Sequence, residues 1–160
     1  MSTQKISNTK PYISIYNDVI SKIDTASQLV LSTKKRAFDN LNTTGFPTHK
    51  KGNEDWKYTD VNKILQNEYK LFDNDLKTTD KYKDIISNLP SYNSGNYLIF
   101  INGVFMPEIS QKSNDSIIID SLGNNLEKYS SIIYPHLESL PEAKDPFINF
   151  NTALFQDGVF

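Results

Sequence analysis

Two histidines, His49 and His136, two carboxylate pairs and a basic triplet are the residues of this sequence that could do chemistry. Paired imidazoles with a carboxylate could hold a metal ion, but His49 and His136 lie far apart and neither has an HxxxH-type spacing. Glu54-Asp55 and Asp73/Asp75 could share acid–base work. They sit in charged or polar surroundings, however, without the apolar flanks that would raise one pKa. Lys34-Lys35-Arg36 could meet phosphate, yet a short basic run of this kind reads as the wet face of a helix. Neither GxGxxG nor GxxxxGK[ST] is present, and no serine stands in a GxSxG elbow. The sequence contains no cysteine, which removes disulfides, thiolate catalysis and thiolate-held clusters from this chain. The sequence therefore assigns no catalytic, no cofactor-binding and no metal residues. A cleft bringing both histidines together would instead point to a hydrolase.

One stretch stands out. Residues 45–60 read GFPTHKKGNEDWKYTD and hold the only tryptophan, Trp56. Burying a tryptophan is worth up to about 5 kcal/mol, enough for a fold to specify one without any ligand. The expected roles are Pro47 fixing the approach, Trp56 and Tyr58 anchoring the loop, and Thr59 capping a helix over 60–69.

The elements that must position these residues are legible as periodicities. Ile15, Val19, Ile20 and Ile23 predict a helix over 12–24, with Pro11 in its first turn. Leu29, Val30, Ala37, Phe38 and Leu41 predict another over 26–41, closed at Gly45. Tyr82, Ile85, Ile86 and Leu89 predict a further helix. YLIFI and VFMPEIS flank Asn102-Gly103, the signature of a two-residue hairpin, and SIIID (116–120) is expected to add a strand. Helical spacing returns over 122–137, and Asp145-Pro146 opens a last helix. The fold class is α+β: N-terminal helices, a small antiparallel sheet with an Asn-Gly hairpin, then further helices.

With 160 residues the chain has room for a core without staples. A net charge of −2 gives no long-range pull toward nucleic acid or anionic lipid. The sequence has no membrane-length apolar run and no signal peptide, so no nucleic-acid or membrane partner is expected and the default location is cytoplasmic. The sequence stops in an apolar run just after a turn, which reads as a fragment whose next element is missing.

Gly45-Phe46-Pro47-Thr48, then Lys50-Lys51, then Glu54-Asp55-Trp56-Lys57-Tyr58-Thr59 resembles an N-terminal signature of the SufD family, a component of the Suf iron–sulfur cluster assembly system. Arg36-Ala37 with Phe38 is similar to the segment preceding that signature. IFINGVFMPEIS (99–110) and DPFINFNTALFQDGVF (145–160) follow in the family's order, with Phe150 where leucine is usual. The resemblance covers about residues 30–160, and the WKYT segment points to SufD over its paralogue SufB.

The patterning divides the chain into a helical region over 1–90 and an α+β region over 91–155. The resemblance implies that 156–160 is the first strand of a right-handed parallel β-helix that is mostly absent. It implies a scaffold rather than an enzyme, with SufB and SufC as partners, mainly through parts of the chain not present. No cofactor is expected in this fragment; the iron–sulfur cluster belongs to the whole complex. The last residues are expected to fray or to pair with another chain. The alternative reading is a small intracellular α+β domain that binds a protein or peptide.

Overall fold

A computed structural model describes residues 8–23, 27–48, 54–71, 80–89, 95–112, 118–138 and 145–160. The fold is α+β, rich in helix, with a small two-stranded antiparallel sheet. Among the described residues the helices are α1 (Ile13–Ser21), α2 (Gln28–Thr44), α3 (Asn62–Leu65), α4 (Asp80–Ser87), α5 (Leu122–Asn125), α6 (Ser130–Glu138) and α7 (Pro146–Leu154). The strands are β1 (Phe100–Ile101) and β2 (Val104–Phe105). The chain divides into two units: Met1–Lys70 with Tyr134–Leu154, and Leu71–Ile133 with Phe155–Phe160.

The first unit is built on the packing of α2 against α7. Val30, Thr33, Lys34, Ala37, Phe38 and Leu41 are the buried residues of α2. Their spacing of three and four places them on one helical stripe. Lys34 is therefore part of the buried face, 1% exposed, while Lys35 and Arg36 stand outside. This corrects the reading of the basic triplet as uniformly solvated. Counting back from Leu41, Phe38 and Ala37 in steps of three and four reaches position 34, so the register of the stripe outweighs the chemical kinship of three adjacent cations.

Around that stripe Tyr12, Phe46, Val61 and Ala153 complete the core, with Ile15, Tyr16, Trp56, Leu65, Phe147, Phe150 and Leu154 packed against it. Tyr16 of α1 stacks on Phe38 at 3.9 Å, with ring planes 1° apart. A 3-10 turn, Lys10–Tyr12, leads into α1 with Pro11 in its first turn. Asp145 opens α7, its Oδ1 accepting the Phe147 amide at 2.7 Å. Thr59 does not cap α3. The N-cap is Val61, which has no capping side chain; Asp60 Oδ1, one residue earlier, accepts the Asn62 amide at 3.1 Å, and the helix spans four residues only.

In the second unit β1 and β2 pair through Phe100 with Phe105 and Ile101 with Val104. Asn102 and Gly103 join them at φ of 50° and 82°, the positive values that let a two-residue turn match the strand twist. Tyr97 and Gln111 exchange two backbone hydrogen bonds further out. Residues 118–120 do not extend this sheet. Asp120 instead exchanges backbone hydrogen bonds of 3.0 and 2.9 Å with Phe160, and Leu122 donates to Gly158 at 2.9 Å. The terminal segment is thus paired with its own chain, where fraying or pairing with another chain was expected. Residues 116 and 117 lie outside the described residues.

The helix expected over 122–137 is broken into α5 and α6 by turns at 126–129. Gly123-Asn124-Asn125 are weak helix formers, so α5 rests on its cap rather than on propensity. Ser121 supplies that cap, its Oγ accepting the Asn124 amide at 3.2 Å. Pro135 lies inside α6 and removes one of its backbone donors.

Candidate functional site

Three arrangements could carry function. The first is the signature corner after α2. Gly45 ends that helix at φ 68°, donating its amide to Leu41 O at 2.7 Å. A side chain there would be strained and would press on Asn8 Oδ1 at 3.2 Å. Asn8 uses that oxygen to accept the Phe46 amide at 2.9 Å and its Nδ2 to donate to Phe46 O at 3.4 Å. Phe46 is driven inward, its ring 5.6 Å from Tyr12, 5.3 Å from Phe147 and 5.1 Å from Phe150. Pro47 behind it is buried.

Trp56 closes the 3-10 turn Glu54–Trp56 and is half-buried, its ring 5.1 Å from Phe147. It serves as an anchor. Tyr58 does not: it is 91% exposed, with Lys57 Nζ 5.4 Å from its ring centroid. An extended chain would place residues 56 and 58 on one face. Here the backbone turns, with Lys57 donating to Glu54 O and Thr59 to Trp56 O, so that alternation fails. Tyr58→Ala is accordingly expected to change unfolding free energy by no more than about 0.5 kcal/mol in urea denaturation.

The second arrangement is a carboxylate clasp in the second unit. Asp157 accepts the Ser121 hydroxyl at 2.8 and 2.9 Å, the Gly123 amide at 2.8 Å and the Gly158 amide at 2.8 Å. Ser121 is fully buried. Its hydroxyl thus donates to Asp157 and accepts from α5 at once. Removing the carboxylate leaves that buried donor without an acceptor, a loss of about 2–3 kcal/mol. Asp157→Ala should therefore destabilise the second unit by that amount, and Asp157→Asn, which keeps an acceptor oxygen, by less. Hydrogen exchange at the Phe160 and Leu122 amides should rise in the same order.

The third is an open cavity of about 500 Å³, lined by Phe105, Pro107, Ser110, Lys112, Asp120, Asn124 and Asn125. Lys112 Nζ lies 2.6 Å from Asp120 Oδ2. Its hydrogen bond holds the Asp120 carboxyl below the ordinary carboxylate value, against an opposing push from burial, and the Ser121 amide adds to the effect. Asn125 Nδ2 donates to Ser121 O at 2.8 Å, fixing the floor. The volume is within the range of small-ligand sites.

A family model described as the SufBD protein N-terminal region matches residues 6–160. The chain belongs to the SufBD family. Comparison with curated proteins and with solved structures finds no match. The match spans all three arrangements in this SufBD-family chain.

Among the described residues, those weighed for chemistry are not brought together. Glu54 and Asp55 are both exposed, and Glu54 pairs with Lys57 at 3.9 Å. His136 is exposed on α6, while His49, Asp73 and Asp75 lie outside the described residues. Among the described residues no three His, Cys, Asp or Glu side chains stand where they could hold a metal ion. Nor is any described helix long and apolar enough to cross a membrane. Sequence reasoning did not single out Lys112, Asp120 or Asp157. The sequence marks Asp157-Gly158 as the turn after the last helix but not as a clasp on Ser121, and nothing local marks Lys112 and Asp120 as partners.

Proposed function

We propose that this chain is the N-terminal region of a SufD-type scaffold subunit that works in the assembly and delivery of iron–sulfur clusters and is not itself catalytic. The family match over residues 6–160 carries the reading. Glu54-Asp55-Trp56-Lys57-Tyr58-Thr59 favours the SufD type over the SufB type by its resemblance to the SufD signature. The packing of Trp56 on Phe147 supports a role for the signature in folding rather than in turnover. Partners on this reading are a SufB-type subunit and a SufC-type ATPase in the cytoplasm. The cluster is cargo of the complex rather than a resident group of this region.

The reading is tested by co-expressing the complete gene product with SufB- and SufC-type subunits and, in parallel, with SufD- and SufC-type subunits, purifying each time through a tag on it. The expected result is one complex holding all three, in which ATP hydrolysis depends on the SufC-type subunit. Recovery only with SufD- and SufC-type subunits would place it in the SufB role. Recovery with none would return it to the class of small binding domains.

A further inference from the structure

The cavity between β2 and α5 presents two opposite charges fixed side by side. Lys112 has three N–H donors and, among the described residues, Asp120 as its one ion-pair partner, so two donors remain for a ligand. Asp120 accepts from Lys112, the Ser121 amide and Asn125, which leaves one acceptor position on its carboxylate. Asn124 is exposed, and among the described residues its side-chain amide has no hydrogen bond, so it offers a donor and an acceptor at the rim. Ser110 is already committed, donating to Met106 O at 2.7 Å and accepting the Ile99 amide at 2.9 Å. Phe105 and Pro107 supply an apolar wall.

A simple anion drawn to Lys112 would meet Asp120, and a simple cation drawn to Asp120 would meet Lys112. A molecule carrying both signs a few ångströms apart satisfies both without breaking the pair. We propose that this cavity binds a small α-amino-acid zwitterion, its carboxylate on Lys112 and Asn124, its ammonium on Asp120 and its side chain against Phe105 and Pro107. The inference goes beyond the scaffold reading and does not depend on it.

L-phenylalanine is the probe, titrated into the full chain and followed by amide and side-chain NMR shifts, with N-acetyl-phenylalanine and phenylalanine amide as single-charge controls. Saturable shifts are expected at the Asn124 side chain and at residues 110–112 and 120–125, with a Kd on the order of 1 mM for a ligand this small. Each single-charge control should bind about tenfold more weakly. Lys112→Met should weaken binding about tenfold, and Asn124→Ala, which leaves the ion pair intact, about threefold or more. Absence of saturation overturns the proposal, as do equal shifts from the controls. Should Lys112→Met fail to fold, unchanged binding in Asn124→Ala overturns it by itself.

Discussion

Phe46→Ala is expected to lower the unfolding free energy of the first unit by about 3–5 kcal/mol, the usual range for truncating a buried aromatic ring. The ring is 4% exposed and meets Tyr12, Phe147 and Phe150 edge-on or tilted at 5.1–5.6 Å. These contacts tie together the end of α2, the turn before α1 and α7. Its backbone is held separately by Asn8, so the segment keeps its path and the void cannot easily collapse. Most of the lost free energy should therefore appear as a shift of the denaturation midpoint at constant slope. Phe46→Leu should retain much of the stability. Urea unfolding followed by Trp56 fluorescence reads both variants, because Trp56 packs on Phe147 in the same cluster.

Lys34→Met is expected to act in the opposite direction and to depend on pH. Burial pushes the Lys34 ammonium down to about 7, from an ordinary 10.5. Between those values the unfolded chain binds a proton that the folded chain does not, so wild-type stability should rise with pH across that window. Below pH 7 the ammonium is charged in both states and the full penalty of burying it is present. Above 10.5 the penalty is gone. The span corresponds to as much as about 5 kcal/mol. Lys34→Met, of similar length and without charge, should be more stable than wild type at pH 6. That advantage should shrink as pH rises through 7 and vanish near 10.5. Thermal unfolding at pH 6, 8 and 10 checks it; parallel pH profiles for the two proteins would contradict it.

Both expectations rest on how the sequence reports its own fold. The helices α1, α2 and α7 were legible because each writes an apolar stripe in adjacent turns and ends on local signals: Pro11, Gly45 and Asp145-Pro146. Trp56 as an anchor was legible from the area a tryptophan buries. What escaped was either a matter of register or non-local. Lys34 was misplaced because three neighbouring cations invite one label, whereas a helix turns each residue about 100° from the last. Tyr58 was misplaced because nothing in the sequence shows that the chain turns after Trp56 and leaves the ring outside. Pairing of Asp120 with Phe160 joins segments 40 residues apart (160 − 120), so no local periodicity announces it. Asp157 and Ser121, 36 apart, escape for the same reason. Lys112 and Asp120 are eight residues apart (120 − 112), and each alone resembles any surface charge.

Genetic complementation tests the central claim, a SufD-type scaffold role, most directly. The complete gene product would be expressed in one strain lacking its SufD-type subunit and in another lacking its SufB-type subunit, with the activity of an iron–sulfur enzyme as the readout. Restored activity in the first strain alone is the expected result, and Phe46→Ala should reduce it while Tyr58→Ala leaves folding intact. Rescue of the second strain alone, or of neither while the protein accumulates folded, would contradict the assignment.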